Sequence, residues 1–384
     1  MTPDPETSSL LLRKGLEEEV YTGTADGYVV GLSAKIAADL PGFSTEPDAR
    51  NVEYVTEPYR DYERLVDRLM AKRCRLRRYL SELDSYTLVP GGTLPLERSD
   101  EFQISNHDNP YYRYIRDTYG LRVVTASTHI NVGIEDSDEL LRACRVIRCE
   151  AASFLALSAA SPFVRGEVTG HHSTRWTMFP ETPEAVPFFT DAQHFVRWVE
   201  EKLHGHEMYN PRHLWLSVRP NGPATPYELS RLELRICDRL SQPRVVAGIV
   251  ALLEARIWQV LEDPSLDPLA VHRDEELRAL VRSNERAAAH GSLDAEFVDW
   301  QTGERARLGS WLADRCSELR PVARAHGFEP HLDGIDEILA EGNLAQRWLA
   351  WHREGLSPQQ VISRAIVELA AIDRQYDPCC PGPV

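Results

Sequence analysis

Apolar and polar positions alternate with a period of two in five stretches: Leu11 to Tyr21, Asn51 to Thr56, Val123 to Ile134, Leu214 to Arg219 and Leu229 to Cys237. This spacing predicts β-strands with one apolar face. Between them the apolar spacing becomes helical. Asp61 to Leu83 puts Tyr62, Leu65, Val66, Leu69 and Met70 on one face, and Ser137 to Ala160 opens on a capping Ser or Asp and runs through Leu140, Leu141, Cys144, Ile147 and Phe154. Both segments read as amphipathic cover for a sheet. After Asp263-Pro264 the strand pattern stops, and helices are predicted at Asp274 to His290, Gly309 to His326, Ile335 to His352 and Ser357 to Gln375. The pattern predicts a sheet-and-helix region over residues 13–262 and a helical flank of the same unit over 263–376, with flexible tails at 1–12 and 377–384. A separate helical domain beginning near Pro264 would give the same pattern.

Composition narrows the class. With 384 residues, 42% of them hydrophobic and 27% charged, the chain can bury one large core, or two modest ones, without disulfides or structural metal. A net charge of −16 argues against broad nucleic-acid binding, since phosphates would be repelled. No run approaches the roughly 20 apolar residues that cross a bilayer, so no membrane partner is expected. Residues 1–9 lack the basic and apolar regions of a secretory signal, which makes a cytoplasmic location the expectation. Seven cysteines without a CxxC pair suit reduced thiols. Vicinal Cys379 and Cys380 could sense redox state, but they sit in a Pro-rich end that reads as an exposed tail.

The polar faces of the predicted strands carry the candidate chemistry. Residues two apart on a strand face the same way, so Glu17 and Glu19 share a face, as do His129 and Asn131, and Arg231, Glu233 and Arg235, while Glu53 points out from its own strand. Glu18 falls on the apolar side, where burial is costly, or else at a sheet edge. One such face is the ordinary wet side of an antiparallel sheet. Together, however, the outward positions are acids, His, Asn and Arg rather than the Lys, Thr, Ser and Gln of a solvated surface. Carboxylate oxygens in this number suit hard cations such as magnesium or manganese. The phosphate loop GxxxxGK[ST], the GxGxxG fingerprint, HExxH and GxSxG are all absent. His171, His172, His204 and His206 are expected in solvent-exposed loops.

At these same stretches the sequence resembles the glutamate–cysteine ligase superfamily, most closely its cyanobacterial-type branch. The resemblance rests on Lys14 to Gly23, Glu46 to Tyr54, Val124 to Gly133, His172 to Trp176, Arg212 to Gly222 and Arg231 to Asp238. It implies an α+β fold with a glutamine-synthetase-like sheet, curved and mainly antiparallel, forming a bowl backed by helices, and a helical C-terminal third. Carried over residue by residue, Glu17, Glu19, Glu46, Glu53, His129 and Glu233 are the implied metal-binding set. Arg235 is implied to meet the transferred phosphoryl group, Arg175 the glutamate substrate, and His129, Asn131 and Arg235 the nucleotide. Arg219, Tyr112 and Tyr114 are further substrate-contact candidates, and Asn284-Glu285 and Glu341 to Asn343 resemble segments that close over the site. His129-Ile130-Asn131-Val132-Gly133 departs from the His-x-His-x-Gly of related carboxylate–amine ligases, which favours the glutamate–cysteine branch.

The activity implied is ligation of the glutamate γ-carboxylate to the amine of cysteine, with ATP as co-substrate and Mg2+ (or Mn2+) as cofactor, through a γ-glutamyl phosphate. This is the first step of glutathione biosynthesis. A carboxylate is a poor acylating agent, and phosphorylation supplies a leaving group once cations neutralise the repulsion between nucleophile and nucleotide. Two alternatives stay open: a ligase of the same fold with another amine acceptor, and a non-catalytic protein that senses ATP or glutamate.

Overall fold

The computed structural model describes residues 11–97 and 99–382. Of the tail expected at residues 1–12, residues 1–10 lie outside the described residues. The first half of the chain contains β1 (Lys14–Gly23), α1 (Ser33–Asp39), β2 (Phe43–Thr45), β3 (Asn51–Val55), α2 (Tyr62–Asp84), β4 (Thr87–Val89), α3 (Pro110–Tyr119), β5 (Thr128–Gly133) and α4 (Ser137–Ser158). A small hairpin, β6 (Phe163–Val164) and β7 (Glu167–Val168), leads to α5 (Thr174–Met178), α6 (Ala192–His204), β8 (Val218–Asn221), β9 (Arg231–Leu234) and α7 (Pro243–Glu262). The remainder is α8 (Asp274–Gly291), a hairpin of β10 (Glu296–Val298) and β11 (Arg305–Arg307), α9 (Leu308–Ala325), α10 (Asp333–Glu341), α11 (Leu344–Arg353) and α12 (Pro358–Tyr376).

Seven strands form one antiparallel sheet in the order β2-β3-β1-β5-β9-β8, with β4 also paired to β1. Its apolar face carries Leu16, Val20, Val52, Ile130, Val132, Val218, Leu232 and Leu234, all essentially buried beneath α2, α4 and α7. Each such side chain contributes about 1.5–3 kcal/mol on burial. A one-residue register slip would exchange this set for the carboxylates of the other face, so the register is strongly fixed. The helical third packs on the same core, with α8 against α4, and α9 and α10 against α7. No helix among the described residues is long and apolar enough to cross a membrane.

Several expectations are corrected. The stretch before Thr128 forms a 3-10 turn at Gly120–Val123 rather than the start of β5, and β8 begins only at Val218. The expected helix over Ile335 to His352 is two helices, because Gly342 adopts φ +83° and Asn343 caps α11 through its side chain. The β10–β11 hairpin interrupts the stretch expected to be wholly helical. Helix α7 falls where no element is expected: it is apolar on nearly every face, so periodicity does not mark it.

Glu18 is not at an edge. Strand β1 is interior, and the fully buried Glu18 accepts from Thr128 Oγ1 at 2.7 Å and lies 3.8 Å from Arg239 Nε. Burial still raises it to about 7, because Arg239 and Thr128 offset only part of the desolvation. The C-terminal end is also held rather than loose: Asp377 pairs with Arg78, and Cys380 is buried beside Cys74. Leu12 N–H donates to Glu254 at 2.6 Å, which anchors the chain just before β1.

Candidate active site

The antiparallel register lays the polar positions of different strands side by side. Glu19 stands opposite Glu53, Glu17 opposite His129, and Asn131 opposite Glu233, which is itself opposite Arg219. Glu17, Glu19, Glu53, His129 and Arg219 face a cavity of about 450 Å3 whose walls also include Glu46, Arg175, Arg235 and Tyr112; Glu233 and Asn131, the latter expected to meet the nucleotide, do not line it. Residues separated by more than 200 positions in sequence thus meet on one concave face.

Hydrogen bonds lock the row. Ser127 Oγ donates to Glu19 at 2.5 Å and sits 2.8 Å from His129 Nε2, while His129 Nδ1 is 3.4 Å from Glu17 Oε2. Asn131 Nδ2 donates to Glu17 Oε1 at 2.9 Å, and Asn131 Oδ1 accepts from Arg231 Nε at the same distance. Glu233 is fully buried below the cavity floor. It accepts from Arg219 at 2.7 and 3.0 Å, from Arg235 at 2.5 Å and from Asn221 at 2.7 Å.

Electrostatics divides the carboxylates into two classes. Burial alone would raise Glu233, but Arg219, Arg235 and His129 outweigh it and hold the group well below its usual range. Burial likewise works against Glu17, yet the His129 hydrogen bond leaves it lowered. Glu46 and Glu53 go the other way. Burial raises Glu46 well above its usual range, with Glu53 and Glu19 adding repulsion, and burial followed by Glu17 and Glu19 raises Glu53 to about 7. Here acids face one another without enough positive charge, which is the condition a divalent cation relieves. Oxygen donors from Glu17, Glu19, Glu46 and Glu53, with one imidazole, fit magnesium or manganese. Glu233 lies within the 4.8 Å group it forms with Glu17 and His129, but its oxygens are spent on arginines and Asn221.

Arg175 is buried, donating to the carbonyls of Ile236 and Arg235 at 3.0 Å each, and no partner among the described residues takes its Nε. Its helix α5 is pinned by Asp238, which accepts from the capping Ser173 at 2.8 Å and from Ser161 at 2.6 Å. Tyr112 donates to Thr45 O at 2.6 Å beside Glu46. Tyr114 does not line the cavity; it packs against Tyr111, Tyr119, Tyr209 and His213. Tyr111 and Ser127, missed from sequence, do line it, as do Asn51, Asn221 and Arg231. Extending the period-two face of His129 back by one step would have found Ser127.

Of the segments expected to close over the site, Glu285 accepts from Trp176 Nε1 at 3.1 Å, next to Arg175 in the chain, whereas Asn284 and Glu341 to Asn343 do not line the cavity. Asn284 bonds the Val298 backbone, and Asn343 bonds Ala156 O and Ser292. Nor is His172 in an open loop, since its Nδ1 is 2.6 Å from Ser292 Oγ. His204 ends α6, its ring bonded to Glu200 O.

Comparison with known proteins agrees with this architecture. Two solved structures share the fold. One is a bifunctional glutathione synthetase from Pasteurella multocida, with TM-score 0.73 and 18% identity over 95% of this chain; the chain spans 52% of that protein's length. The other is a glutamate–cysteine ligase from Francisella tularensis in complex with AMP, with TM-score 0.70 and 12% identity, covering 95% of this chain and 89% of that one. In sequence, a Rubrobacter xylanophilus protein, whose own designation as glutamate–cysteine ligase 2-3 is provisional, is 30% identical over 79% of this chain and 80% of its own. The family model of glutamate–cysteine ligase family 2 matches residues 13–366, spanning every strand and arginine of the cavity, and the chain belongs to that family.

Proposed function

We propose that the protein is an ATP-dependent ligase that phosphorylates the γ-carboxylate of L-glutamate and transfers the γ-glutamyl group to the amine of L-cysteine. The observation that carries this reading is the division of the cavity into an acidic half, Glu17, Glu19, Glu46 and Glu53, and a basic half, Arg175, Arg219 and Arg235. The acidic half would hold magnesium, which supplies charge neutralisation for nucleotide phosphates. The basic half suits an anionic substrate.

Each residue then has a task. Arg235, fixed by Glu233 beneath it, presents positive charge where a phosphoryl group passes from nucleotide to carboxylate. His129 and Asn131 hold Glu17 in place, and His129, which lines the cavity, is the one that can meet the nucleotide. Arg175, which lines the cavity, is a candidate contact for the glutamate anion. Arg219 lends the wall its charge while occupied by Glu233, and Tyr112 narrows the acidic end. The γ-carboxylate attacks the γ-phosphorus and ADP leaves. The amine then attacks the acyl carbon, the amide C–N bond forms and phosphate departs.

The test incubates purified protein with ATP, Mg2+, glutamate and a panel of amines, following ADP and product mass. Glutamate-dependent ADP release with a γ-glutamylcysteine product supports the reading. ADP release independent of glutamate, or none at all, removes it.

A further inference from the structure

Behind the aromatic wall of the main cavity lies a second chamber of about 310 Å3, at the small end of the range for ligand sites. Phe179 and Trp215, with ring centroids 5.0 Å apart, line both spaces and form the partition. Buried Arg148 also lines the chamber, with its guanidinium spent on the carbonyls of Pro187 and Val186 at 2.8 Å each, and the remaining charges are asymmetric. At its inner end Glu285 accepts from Trp176 Nε1 at 3.1 Å through Oε2, while its Oε1 is closed off from solvent and has no hydrogen-bond partner. A buried carboxylate oxygen left unpaired costs free energy unless something donates to it. The outer end is basic. Arg282 is exposed and engages Glu181 at 3.2 Å, and exposed Arg286 has no acidic partner among the described residues.

The inner end is the one nearer the main cavity. Trp176 follows Arg175 in the chain, and the carbonyl of Ser217, which also lines the chamber, accepts the backbone N–H of Arg235 at 2.8 Å. A ligand with a cation at one end and an anion at the other would therefore enter cation first, toward the arginines. We propose that this chamber is the acceptor subsite, taking an α-amino acid with its ammonium on Glu285 and its carboxylate at Arg282 and Arg286. The assignment of role rests on the ligase reading above; the binding does not. Burial raises Glu285 to about 7, so near neutral pH the carboxylate takes a charge readily when an ammonium arrives.

The experiment is calorimetry on the full chain without nucleotide, titrating L-cysteine, other α-amino acids, cysteamine (no carboxylate) and 3-mercaptopropionate (no amine). At least one α-amino acid should bind saturably, and for cysteine both truncated analogues should bind at least tenfold more weakly. Glu285→Gln should weaken the amino acid at least tenfold and Arg286→Ala, at an exposed position that does not threaten folding, roughly threefold or more, with glutamate affinity unchanged in both. In turnover, Glu285→Gln should raise the acceptor KM and leave the glutamate KM alone. Equal binding by wild type and Glu285→Gln, displacement of the bound amino acid by excess glutamate, or no binding by any amino acid tested would each overturn the proposal. Absence of glutamate-dependent ADP formation in the wild type would instead sink the ligase reading, with calorimetry still deciding whether the chamber binds.

Discussion

Replacing Arg235 by Ala separates catalysis from folding, because Glu233 carries four hydrogen bonds and Arg235 supplies only one. Without it Glu233 keeps both Arg219 bonds, at 2.7 and 3.0 Å, and the Asn221 bond at 2.7 Å, so the buried carboxylate remains paired. One lost charged hydrogen bond costs about 1.5–3 kcal/mol. Arg219→Ala would strip two bonds from Glu233, leaving Arg235 and Asn221 to pair it, and would also take the donor from the carbonyls of Arg212 and Leu214, for a cost of about 3–5 kcal/mol. On catalysis the order reverses. If Arg235 meets the transferred phosphoryl group, its removal should lower kcat/KM by roughly 10²–10⁴, about 3–5 kcal/mol of transition-state stabilisation. The assay pairs glutamate-dependent ADP release with urea unfolding of wild type, Arg235→Ala and Arg219→Ala. The reasoning is refuted if Arg235→Ala turns over like wild type, or if it unfolds at lower urea than Arg219→Ala.

Glu53→Gln should lower turnover at least 100-fold and weaken magnesium binding by calorimetry, because it removes one oxygen of the acidic half; unchanged magnesium affinity would exclude Glu53 as a ligand. Since Glu285 sits at about 7 in the fold against about 4.5 unfolded, it stabilises the protein below pH 4.5 and loses that contribution as pH rises through 7. Glu285→Gln, which mimics the neutral form, should therefore gain stability over wild type between pH 5 and pH 8, by up to roughly 3 kcal/mol in denaturant titrations, and a constant difference would count against it. Asp373→Asn should cost about 3–5 kcal/mol in urea unfolding, because fully buried Asp373 pairs with Arg73 at 2.6 Å and Arg77 at 2.7 Å. Native protein should titrate one fast thiol, the exposed Cys379, against seven after denaturation; several fast thiols would contradict the burial of the other six.

The chain by itself determined the strands and their polar faces. Alternation at Glu17, Glu19, Glu53, His129 and Glu233 is a local property, set by which side of a pleated backbone each Cβ leaves. The strong amphipathic helices α2 and α4 were legible for the same reason, whereas α7, apolar all round, had no periodic signal to read. What only the tertiary structure decided is how those faces register against one another. That Glu19 meets Glu53, that Arg219 and Arg235 both close on Glu233, and that Tyr111 rather than Tyr114 reaches the cavity depend on pairings between residues far apart in the chain. So does the pairing of Glu18 with Arg239, and the meeting of Trp176 from α5 with Glu285 from α8. Local sequence sets the direction in which a side chain points; the long-range packing of sheet and helices sets what it points at, and with it the charge each carboxylate holds.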